Sequence, residues 1–74
     1  MQKHDKLLRM ANQIAQAIAA RPAAEQADTL SSHINDYWAP TMRAVLLRKI
    51  AEGEPGLHPL LLQVASRIRP QPAD

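Results

Sequence analysis

The chain reads as an all-α protein, a small four-helix domain with short connections. Three features predict this. Apolar residues recur at spacings of three and four in four segments, and no segment shows the alternation of a strand. Prolines stand at the joints between those segments, at Pro22, Pro40, Pro55 and Pro59. Alanine is frequent and β-branched residues are few, which favours helix. No internal repeat or low-complexity block interrupts the pattern.

The first helix is expected over Lys3–Ala20. Leu7, Ala11, Ile14 and Ile18 share one face, and Leu8 and Ala15 widen it. Asp5 sits near the start, where the helix dipole favours an acid. Pro22 opens a second helix running to about Trp38, with Ala27, Leu30, Ile34 and either Tyr37 or Trp38 inward. Glu25 and Asp28 fall in its first turns. Pro40 then disfavours the helical region for Ala39, which ends helix two near Trp38. It can also serve as the first residue of helix three, where its missing N–H costs nothing. Helix three runs to about Glu52, with Met42, Val45, Leu46 and Ile50 inward and Gly53 as its C-terminal cap. After the turn Glu54-Pro55-Gly56, a fourth helix is expected from Leu57 or Pro59 to about Arg69. Leu57, Leu60 or Leu61, Val64, Ala65 and Ile68 would face inward, and Arg67 and Arg69 would complement its dipole. The expected organisation is one helical domain, residues 1–69, and a flexible tail, residues 70–74.

Size bounds the rest. A chain of 74 residues buries little core, so its net stability is on the order of 3–5 kcal/mol. It has no Cys, which removes disulfides, thiolate metal sites and a cysteine nucleophile, and fits a reducing cytosol. A partner is the natural supplement. No stretch approaches the ~20 apolar residues of a membrane span, and the N-terminus lacks the continuous apolar run of a secretory signal. A cytoplasmic location is expected, with no membrane partner. The net charge of +2 permits nucleic-acid binding but does not point to it.

Catalytic chemistry finds little support. His4, His33 and His58 are dispersed, and Asp36 beside His33 reads as a surface helix contact. Seven carboxylates show no evident pair. Ser31 and Ser32 lack a base at a recognisable spacing. Both glycines, Gly53 and Gly56, fall in one turn, so there is no glycine-rich phosphate loop. No catalytic, metal or cofactor-binding residue is assigned, and the chain is expected not to be an enzyme by itself.

Docking candidates are clearer. Arg9, Asn12, Gln13 and Gln16 lie opposite the Leu7/Ile14 stripe, and amides there lose less on desolvation than charges would. Asn12 and Gln16 stand one turn apart, so both are expected to project outward and to be dispensable to the core. Trp38, one of only two aromatic residues in the chain, reads as a core anchor at the corner between helices two and three, or else, with Arg43, as a docking knob. Arg43, Arg48 and Lys49 group on helix three. They read as a solvated basic face, with Arg43 free to pair with a carboxylate, or as the surface of a stand-alone DNA-binding or regulatory domain.

Three segments carry a resemblance. They are Arg9-Met10-Ala11-Asn12-Gln13-Ile14, His33-Ile34-Asn35-Asp36-Tyr37-Trp38-Ala39-Pro40-Thr41-Met42-Arg43, and Gly56-Leu57-His58-Pro59-Leu60. In this order they resemble the delta subunit family of the soluble, NAD-dependent, molybdenum-containing formate dehydrogenases of bacteria, over roughly Lys6 to Ala65. The chain departs from the family's usual pattern with Tyr37 where Phe is frequent and Thr41 where Arg is common. The first keeps an aromatic body, and the second removes a charge from the corner. The resemblance implies an accessory subunit on the formate dehydrogenase alpha subunit, concerned with assembly or with retention of the molybdenum cofactor. Such enzymes oxidise formate at a bis-molybdopterin guanine dinucleotide centre and pass electrons through iron–sulfur clusters to FMN and NAD. The chain itself would hold no cofactor and bind no nucleic acid. Arg9, Asn12, Gln13, Gln16, Trp38 and Arg43 are the residues expected at its partner interface. Self-association of the isolated chain through that face is left open.

Overall fold

The computed structural model describes residues 5–70. It contains four α-helices, α1 (Asp5–Ile18), α2 (Ala23–Tyr37), α3 (Pro40–Ala51) and α4 (Pro59–Val64), followed by a single 3₁₀ turn at Ala65–Arg67. No strand occurs among the described residues. The all-α, four-helix expectation holds. The expected first turn of helix one, at Lys3 and His4, and the tail beyond Pro70 lie outside the described residues.

The connections follow from local chemistry. α1 tightens at its end, where the Arg21 amide donates to the Ile18 carbonyl at 2.9 Å. Gln26, one turn into α2, reaches back and donates to the Ala19 and Arg21 carbonyls at 3.1 and 2.8 Å. Those carbonyls would otherwise be orphaned at the helix end. Pro22 occupies the N-cap of α2 rather than its first helical position. Trp38 and Ala39 are extended (ψ 137° and 149°), as a following proline requires, and Pro40 starts α3. At the end of α3 the Gly53 amide donates to the Ile50 carbonyl and the Glu54 amide to the Lys49 carbonyl. This pair of bonds is the Schellman motif, and it needs the left-handed φ of +74° that Gly53 supplies.

The core gathers Ala11, Ala15 and Ile18 of α1, Leu30 and Ile34 of α2, Trp38, Leu46 of α3, Leu60, Leu61 and Val64 of α4, and Ile68. α1 packs on α2, α3 and α4, and α2 packs on α4. Ala11 and Ala15 are fully buried, so small side chains occupy the centre of the α1 face and Leu7, Leu8 and Ile14 flank it half-exposed. On α3 the inward face differs from expectation by one residue: Leu47 joins the core with Met42, Leu46 and Ile50, and Val45 does not. The described residues span 34 × 31 × 19 Å. The short dimension is two helix diameters, so most side chains reach solvent on one side.

The fourth helix is the main correction. The helix expected from Leu57 or Pro59 to about Arg69 is cut to six residues. Val64 (φ −94°, ψ 1°) breaks the α-helix into the 3₁₀ turn, and Ile68 is extended with ψ 124°. Pro70 disfavours a helical Arg69, and the backbone groups of Arg67 and Arg69 are bonded elsewhere, as described below. Arg67 and Arg69 do not cap a helix. They form ion pairs with Asp28 and Asp36 of α2.

Trp38 is 5% exposed, so Trp38→Ala is expected to cost about 3–5 kcal/mol, comparable to the whole stability of a domain this size. A thermal melt within a few degrees of the parent would contradict the packing described. Gly53→Ala meets no neighbour within 4 Å, so its cost is purely the left-handed backbone, roughly 1–2 kcal/mol. Denaturant titration reads that difference directly.

Candidate docking surface

The six residues expected at an interface divide into two groups. Arg9, Gln13 and Gln16 are exposed on one face of α1. Asn12, Trp38 and Arg43 are turned into the fold.

Asn12 occupies the border of the α1 stripe. Its neighbours one turn away are Arg9 and Gln16, which are exposed, and Leu8 and Ala15, which are not. Its carboxamide makes two bonds to the loop before α4: Nδ2 donates to the Gly56 carbonyl at 2.8 Å, and Oδ1 accepts the His58 amide at 2.9 Å. The expectation that Asn12 projects outward with Gln16 and is dispensable to the core is therefore corrected. A carboxamide at the edge of a buried face found a backbone pair to satisfy.

Asn35, which sequence reasoning passed over, repeats the arrangement on α2. Its Nδ2 donates to the Arg67 carbonyl at 3.0 Å and its Oδ1 accepts the Arg69 amide at 2.8 Å. Both clasped segments have one pattern, residue–apolar–residue–proline: Gly56-Leu57-His58-Pro59 and Arg67-Ile68-Arg69-Pro70. The proline favours extended backbone before it, which points a carbonyl and the amide two residues later to the same side. The apolar residue between them packs against the core, Leu57 in part and Ile68 almost wholly.

Arg43 completes this framework. It is 9% exposed and pairs with no carboxylate among the described residues, contrary to one expectation. Its Nε donates to the Arg69 carbonyl at 2.8 Å, and its Nη1 to the carbonyls of Trp38 at 2.8 Å and Asn35 at 3.3 Å. Asn35 and Trp38 lie at the C-terminal end of α2, where the helix dipole offers partial negative charge to a cation. The fork of the guanidinium reaches two chain segments at once, which a lysine ammonium cannot do in the same plane. The Trp38/Arg43 corner is thus interior and presents no knob.

The basic group of helix three also disperses. Arg43 is buried, Lys49 lies near Glu52 and Glu54 at 3.9 and 3.8 Å, and of the three only Arg48 is exposed. His33 stacks on Tyr37 with ring centroids 5.0 Å apart, and Asp36 turns to Arg69 instead. Ser31 is buried, and its hydroxyl donates to the Ala27 carbonyl at 2.8 Å. The Nδ1 atom of His58 accepts the Leu60 amide at 3.0 Å and caps α4. Among the described residues no three His, Asp or Glu side chains converge as a metal site would require. No described helix is long and apolar enough to cross a membrane. The large apolar side chains left in solvent are Tyr37, 77% exposed, and Leu62, 52% exposed. Tyr37 and Trp38 had equal claim to the inward face by spacing. The turn out of helix after Tyr37 decides between them.

Asn12→Ala is expected to cost about 1–3 kcal/mol, because it removes two hydrogen bonds worth about 0.5–1.5 kcal/mol each. Gln16→Ala, at an exposed helix position, stays within about 0.5 kcal/mol. Melting of the two single variants separates them, and equal behaviour would contradict the Asn12 geometry.

No protein among the curated sequences matches the chain. The family model described as NADH-dependent formate dehydrogenase delta subunit FdsD matches residues 6–65. That span contains all three segments quoted for the resemblance, both asparagine clasps' side chains and Arg43. The chain belongs to the FdsD family, the delta subunit of NADH-dependent formate dehydrogenase.

Proposed function

We propose that this chain is a non-catalytic accessory subunit of a soluble, NAD-dependent, molybdenum-containing formate dehydrogenase. It docks on the catalytic alpha subunit and supports assembly of the enzyme or retention of its molybdenum cofactor. The observation that carries this reading is the family match over residues 6–65. The molybdenum, iron–sulfur and flavin chemistry belongs to the other subunits, and the chain acts by binding in the cytoplasm.

The reading is supported by how the polar side chains are used. Asn12, Asn35 and Arg43 are bonded within the chain, and Arg9, Gln13 and Gln16 stand exposed on α1. The docking role assigned to Asn12, Trp38 and Arg43 becomes indirect: they hold α1 and the C-terminal segment in shape. Arg9, Gln13 and Gln16 make the direct contact.

Affinity purification of the tagged chain from its native host tests the partner. A molybdenum and iron–sulfur enzyme that reduces NAD with formate should come with it. Recovery with nucleic acid, or without such an enzyme, would refute the proposal. Molybdenum content per alpha subunit, compared with and without this chain, tests the retention role, and a lower content without it is expected. Gln13→Ala with Gln16→Ala should weaken association by roughly 30-fold or more, from two unpaired groups at about 1–3 kcal/mol each, while melting stays unchanged.

A further inference from the structure

α1 presents a continuous exposed stripe, Lys6, Arg9, Gln13 and Gln16, at spacings of three, four and three. It lies opposite the buried Ala11, Ala15 and Ile18. Among the described residues, the other cations except Arg48 are used within the chain. Arg21 pairs with Glu25, Lys49 with Glu52 and Glu54, Arg67 with Asp28, and Arg69 with Asp36. Arg43 is held by three carbonyls. The cations without such a partner among the described residues are Lys6, Arg9 and Arg48, and two of these three fall on the α1 stripe. Asp5 flanks the stripe and offsets it in part, leaving it net positive.

Resting on the reading that the chain docks on the catalytic subunit, we propose the chemistry of the surface it meets. The α1 stripe seats on an acidic patch of that subunit. Partner carboxylates face Lys6 and Arg9, and uncharged polar groups face Gln13 and Gln16. An arginine suits this role because its planar fork takes a carboxylate through two bonds and is weakly hydrated, so it loses little on leaving water. The order of residues along the helix, cations first and amides after, also gives the contact a direction. Reversed docking would place Lys6 and Arg9 against uncharged groups and leave the acids of the patch unpaired.

The experiment titrates the full chain into the catalytic subunit purified without it, at about 0.05 M and about 0.3 M salt, where screening differs by more than twofold in length. Lys6→Glu with Arg9→Glu should weaken binding at least about tenfold at low salt, with an unchanged melting temperature. The parent should lose affinity with added salt, and the double variant much less. Arg48→Glu on α3 makes the same two-unit charge change as Arg9→Glu alone and should stay within about twofold of the parent, whereas Arg9→Glu should weaken binding by more than that. Equal loss on Arg48→Glu would mean that only net charge matters, and the acidic seat would be overturned. Parent-like binding by the double variant would also overturn it. If Tyr37→Ala then abolished binding, the docking reading would stand with α2 as its surface. Failure of the parent chain to bind at either salt would remove the docking reading itself. Tighter binding to duplex DNA than to the subunit would identify the stripe as a phosphate-binding surface and overturn the proposal.

Discussion

The fold depends on side chains doing what a helix would otherwise do for the backbone. The C-terminal segment has an α-helix of only six residues, flanked by extended chain whose amides and carbonyls belong to no ladder. Each hydrogen bond that side chains give such a segment adds about 0.5–1.5 kcal/mol, a large share of the net stability of a small domain. Asn12, Asn35 and Arg43 accept that role from α1, α2 and α3 respectively. They fix the segments on either side of α4 while Leu57, Leu60, Leu61, Val64 and Ile68 pack on the core. No described buried side-chain nitrogen or oxygen lacks a hydrogen-bond partner.

This explains where sequence reasoning worked and where it stopped. Helices one to three were legible because their signals are local. The apolar face repeats every three or four residues, proline marks both joints, and Gly53 sits where a left-handed cap is needed. The end of α4 was not legible by the same means. Val64, Ala65 and Ile68 keep helical spacing, yet the backbone there is taken by Asn35, 32 and 34 residues away. Periodicity sees about two turns of chain and cannot register such a pairing. The proline at position 70 was the one local hint that Arg69 would be extended.

The docking residues show the same division. Exposure of Arg9, Gln13 and Gln16 follows from position on the α1 wheel, and all three are exposed. Asn12 is one step from that stripe and one step from the buried one, so its fate rests on what lies across from it. Arg43 was legible as a basic residue near a corner but not as a buried one. Its burial is tolerable because carbonyls at the end of α2 and at Arg69 surround it, and those positions are set only once the chain has folded.

The two asparagine clasps carry one further consequence, for the accuracy of folding. A carboxamide presents a donor and an acceptor side by side, and each of these two clasps pairs with a carbonyl and the N–H two residues later. If the loop before α4 slipped forward by one residue, Asn12 would meet Pro59 in place of the His58 amide. The same slip after the 3₁₀ turn would set Asn35 against Pro70 in place of Arg69. Proline has no N–H to give, so each misalignment leaves an acceptor empty. An apolar core of leucines and isoleucines tolerates sliding, because one methyl resembles another. Here the polar contacts reject the forward shift, which the apolar contacts would tolerate.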